Sequence, residues 1–219
     1  MKRCWIVLLF LQATLVWAEP HTDRMLQLAR QEWEFFGRQT IGKDGKVSHA
    51  GHTEAEEGYW QRVGVYWRNG VFLPWTGKDT DEAWSAAFIS YVMREAGLGN
   101  TFHYSDWHAH YINQAIDGRA ADDKDLAFWG YRLSERAPQV GDLVCYRRQD
   151  DVNFTRRPET YKSHCDLVVA VRPGEIDVIG GNVQDSVTLK TLATNSQGKL
   201  IDKNQQWFAV LANRLVNPR

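Results

Sequence analysis

Hydrophobic positions recur at helical spacing in the first half of the chain and predict a series of helices. The first predicted helix covers residues 23–38, where Met25, Leu28 and Phe36 fall on one face. The next stretch, residues 39–57, contains three glycines and many polar residues and predicts a loop. An amphipathic helix therefore precedes the main body of the chain.

The second predicted helix has the clearest start. Asp79 is a cap candidate, Glu82 stands three positions later, and apolar residues follow at helical spacing until Gly97. A further helix is predicted over residues 105–116, and residues 122–138 predict a helical turn followed by a loop. The helix that ends at Gly97 carries the candidate nucleophile of the chain.

From residue 140 the hydrophobic period changes to the alternation that is typical of strands. Five such runs are separated by turn residues: GDLVCYRR, SHCDLVVAV, EIDVIGG, SVTLKTL and QWFAVLANRL. Helices first and strands afterwards predict an α+β fold with an antiparallel sheet rather than alternating βαβ units. The length of 219 residues fits a single domain at residues 19–219, with the first helix as an N-terminal extension.

Composition narrows the classes of function. Hydrophobic residues make up 43% of the chain, charged residues make up 24%, and the formal net charge is -1. These values exclude a disordered chain and give no basis for binding a polyanion, so we expect no nucleic-acid partner. Gly180-Gly181 neither completes a dinucleotide-binding motif nor opens a predicted helix. We therefore expect a turn there and no cofactor.

The first 18 residues have the pattern of a secretory signal peptide. Lys2 and Arg3 precede an apolar run over residues 5–17, and the small residue Ala18 marks the expected cleavage point. The apolar run is short for a membrane span, which needs about 20 residues. We therefore expect a periplasmic or secreted protein without stable membrane insertion after cleavage.

Two cysteines remain after the predicted cleavage, Cys145 and Cys165. In an oxidising compartment they either pair or stay as small buried strand residues, and spacing alone leaves both alternatives open. His108 and His110 are spaced i, i+2, which does not place both rings on one face of a helix. No other clustered Cys/His pattern is present, so we expect no metal site.

Ser85 falls near the start of the second predicted helix, where free backbone N–H groups and the helix dipole favour developing negative charge. A serine hydroxyl needs a base, and His164 at the start of an apolar strand is the candidate. Asp166 shares the face of His164 by the period of two, and Asn182 follows the next strand, so either could orient the imidazole. The structural alternative is that Ser85 and His164 only pack.

Several aromatic and histidine side chains are candidates for lining a cleft near this serine. Trp84 is its neighbour in the chain, and Trp67 and Trp75 belong to a dense aromatic segment. His108 and Tyr111 fall on the helix that follows. Core packing is the alternative for the tryptophans, because aromatic residues more often fill a core than a groove, and a core or surface role is the alternative for His108 and Tyr111.

An ordered set of motifs resembles the papain-like NlpC-type peptidases and CHAP amidases that hydrolyse cell walls. The set consists of WSAAFISYVMREAG, GDLVCY, SHCDLVVAV and VIGGN, and it covers roughly residues 67–187. It is still more similar to a secreted bacterial family of uncharacterised domains with serine in WSAAF. The resemblance implies a papain-like fold with Ser85 as nucleophile, His164 as base, and Asn182, or else Asp166, as the third polar residue.

The resemblance also implies a substrate, namely amide bonds in the peptides of periplasmic peptidoglycan. Serine stands where the related hydrolases have cysteine, so a catalytically inactive module that binds cell-wall peptides is the alternative. An antibacterial effector hydrolase, with an immunity or inhibitor protein as its partner, is a variant of the enzyme. The basic residues around the polar loop, Arg147, Arg148, Arg156 and Arg157, could touch acidic cell-wall groups or simply be solvated.

Overall fold

A computed structural model describes residues 20–215 of the chain. The predicted signal peptide, residues 1–18, lies outside these residues. The described part contains α-helices in its first half and one eight-stranded sheet, an α+β arrangement as predicted. The helices are α1 (His21–Phe35), α2 (Tyr59–Tyr66), α3 (Ser85–Glu95) and α4 (His108–Ala120), and a π-helical turn (Trp67–Val71) extends α2.

The sheet has the strand order β2-β1-β7-β6-β5-β4-β8-β3. Its strands are β1 (Thr40–Ile41), β2 (Val47–His49), β3 (Phe128–Tyr131), β4 (Leu143–Arg147), β5 (Ser163–Arg172), β6 (Glu175–Gly180), β7 (Thr188–Ala193) and β8 (Gln206–Asn213). The five strands predicted from alternation, β4 to β8, are confirmed. The prediction of a purely antiparallel sheet is wrong, because β1 pairs with β7 in parallel.

The three strands that the sequence did not predict, β1, β2 and β3, are short, and each forms by pairing with a neighbouring strand. β1 has two residues, and β2 has three, all exposed, so neither carries an alternating pattern. β3 lies in the segment predicted as a turn and loop, and it pairs antiparallel with β8. Each of these strands extends an edge of the sheet and forms by pairing with it. The local hydrophobic pattern does not predict such pairing.

Helix α3 forms the centre of the core. Nine of its residues, from Ser85 to Met93, are buried. It packs against α1 and the π-helical turn on one side and against β5 and β6 on the other. In residues 20–215, none of the helices is both long and apolar enough to cross a membrane.

Cys145 and Cys165 form a disulfide, which selects one of the two alternatives left open by their spacing. They are paired neighbours on β4 and β5, and both are fully buried. Residues 164 and 166 point to the opposite face of β5 from Cys165, because side chains alternate along a strand. The disulfide therefore joins β4 and β5 on the face of the sheet opposite to the side chains of His164 and Asp166.

We expect replacement of both cysteines by alanine to lower the free energy of unfolding by about 2–4 kcal/mol. The bridge closes a loop with a sequence separation of 20 residues, so it restricts the unfolded chain. Urea titration of the Cys145→Ala/Cys165→Ala variant against the oxidised wild type measures the difference. Equal midpoints and slopes would show that the bridge does not contribute.

Candidate active site

Ser85 is the first residue of α3, and its side chain is 5% exposed. The helix starts later than the cap candidate Asp79 predicted, because the carboxylate of Asp79 accepts hydrogen bonds from the backbone and hydroxyl of Thr76 instead. Asp79 therefore closes a turn before α3. The first N–H groups of an α-helix have no partner within the helix, so the first-turn N–H groups of α3 lie next to Ser85 as potential donors.

The side chain of Ser85 forms a hydrogen bond with His108, the first residue of α4. Ser85 Oγ and His108 Nε2 are 2.7 Å apart. Both residues line a pocket of about 380 Å³ that lies between the starts of the two helices and the beginning of β5. His108, predicted only to border a cleft, is thus the histidine in direct contact with the candidate nucleophile.

The hydrogen bonds of His108 indicate which of its ring nitrogens carries the proton. His108 Nδ1 contacts the hydroxyl of Tyr111, one turn further along α4. Within residues 20–215 this fully buried hydroxyl has no other hydrogen-bond partner, so its proton is satisfied only by donation to Nδ1. His108 Nε2 then carries the hydrogen and donates it to Ser85 Oγ.

His164, the predicted base, lies at the start of β5 and is fully buried. Its Nε2 donates to Asp166 Oδ1 at 3.1 Å, and the other carboxylate oxygen of Asp166 accepts from Lys190 Nζ at 2.7 Å. The period of two along β5 therefore places His164 and Asp166 together, as predicted. Lys190 comes from β7 and was not predicted.

The other ring nitrogen of His164, Nδ1, has no hydrogen-bond partner within residues 20–215. Because Nε2 carries the hydrogen that Asp166 accepts, Nδ1 presents a bare lone pair. The imidazole rings of His164 and His108 are 5.0 Å apart between centroids, so both belong to one buried cluster with Ser85. The described residues show no hydrogen bond between Ser85 and His164, so the predicted role of His164 as its base stays a prediction.

Gly180 allows the strands to close around His164 and Asp166. A Cβ atom at this position would lie 2.0 Å from Asp166 Oδ1 and 2.9 Å from His164 Nε2. The neighbouring Gly181 lies close to α3, where a Cβ atom would meet Phe88 at 2.6 Å. The pair of glycines, predicted only as a turn, therefore makes room for the cluster.

Burial and charge set the protonation states in this cluster. Burial lowers the pKa of His108 well below the ordinary histidine value, and a positive charge on His164 would lower it further. Burial also lowers the pKa of His164, although the carboxylate of Asp166 opposes that effect. Burial acts to raise the pKa of Asp166, but the ammonium of Lys190 and the contact with His164 hold it below its usual range. Both imidazoles are therefore neutral at pH 7, and Asp166 is ionised.

The remaining predicted site residues lie in different places. Trp67 lines the Ser85 pocket, and Trp75 packs edge-to-face on it at 4.8 Å without lining the pocket. Trp84 is buried in the core, where its indole N–H donates to Glu54. Asn182 lines a second cavity of about 380 Å³ and is not the partner of His164. Asp166, the substitute candidate, is the residue that forms a hydrogen bond with His164.

Across residues 20–215, histidine, cysteine and carboxylate side chains do not gather in groups of three or more that could hold a metal ion. The side chains of the Ser85 cluster are a hydroxyl, two neutral imidazoles, a carboxylate and an ammonium. This set can accept and donate protons next to a nucleophilic oxygen.

The fold and site together define an α+β domain with a buried serine–histidine cluster at a helix start. Residues 54–213 match the model of a protein family described as an uncharacterized protein conserved in bacteria (DUF2272). The match covers more than half of the chain, so the protein belongs to the DUF2272 family. Neither the comparison with curated proteins nor the comparison with solved structures gives a match.

Proposed function

We propose that the protein is a serine-dependent amide hydrolase that acts on the peptides of peptidoglycan in the periplasm. One observation carries this proposal: Ser85 Oγ lies at the start of α3, 2.7 Å from His108 Nε2, at a pocket of about 380 Å³. The bare nitrogen of the carboxylate-bound His164 belongs to the same cluster. A nucleophile, a proton acceptor and an orienting carboxylate are the parts that acyl transfer requires.

In the proposed acylation step, substrate binding turns the Ser85 hydroxyl so that its proton passes to His164 Nδ1. His108 keeps donating its Nε2–H to Oγ and stabilises the negative charge that develops there. Oγ bonds to the carbonyl carbon of the amide, and the free N–H groups in the first turn of α3 stabilise the oxyanion. The C–N bond then breaks as His164 returns its proton to the leaving amine.

In the proposed deacylation step, a water molecule gives one proton to His164 Nδ1 and adds to the ester carbon. The bond between that carbon and Ser85 Oγ breaks, and His164 returns the proton to Oγ. The products are a carboxylic acid and the regenerated serine. Asp166 stays ionised in both steps and stabilises the positive charge that His164 carries transiently.

Peptidoglycan is proposed as the substrate because of the expected compartment of the protein and because of its resemblance to cell-wall hydrolases. The motif set resembles papain-like cell-wall hydrolases, and we propose that the domain shares their arrangement, with the nucleophile at a helix start and the base at a strand start. The disulfide and the predicted signal peptide fit an oxidising compartment. The family to which the chain belongs is bacterial.

Digestion of purified sacculi tests the proposed function. We expect wild-type protein to release soluble peptide fragments with new amino and carboxyl ends, detected by mass spectrometry. Binding to sacculi without any release would favour the alternative, a non-catalytic module that retains the pocket. Neither binding nor release would overturn both.

The pH dependence of hydrolysis should follow His164. The lowered pKa keeps this imidazole neutral to more acidic pH than a free histidine, whose pKa is about 6.5. We expect kcat/KM to rise with pH, to reach half its plateau below about pH 6.5, and to stay level up to neutral pH. Circular dichroism over the same range checks that the protein remains folded. A midpoint above pH 6.5 in folded protein would contradict the assignment.

A further inference from the structure

The pocket at Ser85 is lined by charged side chains of both signs. Three carboxylates line it from the segments that precede α3 and α4, namely Asp81, Glu82 and Asp106. Two cations, Arg148 and Lys162, line it from the segment between β4 and β5. Within residues 20–215, none of these five side chains forms an ion pair.

Of the two cations, Arg148 is better placed to bind a ligand. Its guanidinium is exposed and donates to the hydroxyl of Tyr146 at 3.1 Å, which directs it along the ring that stacks on His164. Arg148 also lines the second cavity, so it stands on the boundary between the two. A planar guanidinium with free N–H groups binds a carboxylate with two parallel hydrogen bonds.

The adjacent Arg147 differs from Arg148 in the contacts of its guanidinium. Its guanidinium donates to the backbone oxygen of Gln149 at 2.9 Å and lies 3.7 Å from the carboxylate of Asp150. Arg147 lines neither cavity. The two neighbouring arginines thus differ in one respect that matters for a ligand: only Arg148 faces the pocket.

We propose that the pocket binds a zwitterionic peptide, with a free carboxylate of the substrate on Arg148 and a free amine toward the carboxylates from the segments that precede α3 and α4. This inference rests on the proposed function and narrows its substrate to a peptide that carries both charges close to the scissile amide. It favours cleavage within the peptide stems, which hold free carboxylates and amines, over cleavage at an uncharged position.

Binding measurements in the Ser85→Ala background test the proposal without hydrolysis. The probes are a peptide stem purified from sacculi and the same stem with its carboxylates converted to carboxamides. We expect the unmodified stem to bind about tenfold or more tightly than the carboxamide, since one charge-assisted contact is lost. Adding Arg148→Gln should remove this difference, whereas adding Arg147→Gln should preserve it.

Equal binding of the two probes in the Ser85→Ala background, or no binding of either, would overturn the inference. A preference that survives Arg148→Gln would also overturn it. Arg148 is exposed, so thermal melting should show that its variant folds as the parent does. A preserved preference for the carboxylate in a protein that never hydrolyses sacculi would refute the proposed function alone.

Discussion

Ser85→Ala should lower kcat for the release of peptides from sacculi by about a thousandfold or more, because it removes the attacking oxygen. The loss of Oγ also leaves the N–H of His108 without its acceptor, which is expected to cost about 1–3 kcal/mol of stability. Ser85→Cys should restore part of the activity, since a thiol is an intrinsically strong nucleophile. Fragment release is followed by mass spectrometry at a saturating concentration of sacculi.

Ser90→Ala is the matched control for this experiment. Ser90 lies on the same helix, is fully buried, and donates its hydroxyl proton to the backbone oxygen of Ser105 at 2.9 Å. Its replacement should lower stability while folded protein keeps its activity. Ser85→Ala protein that is folded and as active as wild type would refute the role of Ser85.

Glutamine replacements of the two histidines should separate their roles. A glutamine amide can donate a hydrogen bond but cannot accept a proton at neutral pH, so it mimics only the donor function of an imidazole. His164→Gln should lower kcat by about a thousandfold and remove the acidic limb of the pH profile, because general-base catalysis contributes 10²- to 10⁴-fold. His108→Gln should lower kcat by only about tenfold, because a donor to Oγ remains.

The two variants control for each other, since each replaces one buried imidazole of the same cluster. Steady-state kinetics with folded protein, checked by circular dichroism, gives the comparison. If His108→Gln were as inactive as His164→Gln, and His164→Gln kept the acidic limb, His108 would be the base. The tautomer inferred from Tyr111 would then be wrong.

The sequence predicts the parts of the site that depend on local periodicity. Ser85 follows from a helix-start pattern, and His164 and Asp166 follow from the alternation along β5. The start of α3 itself was predicted too early, because Asp79 also suits the turn that it closes. The five long strands were predicted for the same reason as Asp166: alternation is a property of the strand itself.

Contacts between distant segments are the parts that the sequence did not predict. His108 lies 23 positions from Ser85, and only the packing of both α3 and α4 against β5 brings their side chains together. His108 and Tyr111 were predicted only as candidates for lining a cleft, and their contact with each other was not predicted. The parallel pairing of β1 likewise depends on the sheet edge that β7 offers.

The alternation along β7 places Lys190 at a buried position. It lies between Thr188 and Leu192 on the buried face of β7, where every second residue is buried. A lysine on such a face requires a buried partner of opposite charge, because an isolated buried ammonium is strongly unfavourable. The sequence thus implied a buried carboxylate nearby, and the structure shows that it is Asp166.

Labelling with a fluorophosphonate, a reagent that reacts covalently with activated serines, tests the central claim most directly. The claim is that Ser85 is an activated nucleophile. After digestion and mass spectrometry of the labelled wild type, the adduct should map to Ser85, and it should be absent from Ser85→Ala and strongly reduced in His164→Gln. Folded wild-type protein that carries no adduct, or an adduct on a different serine, would contradict the claim.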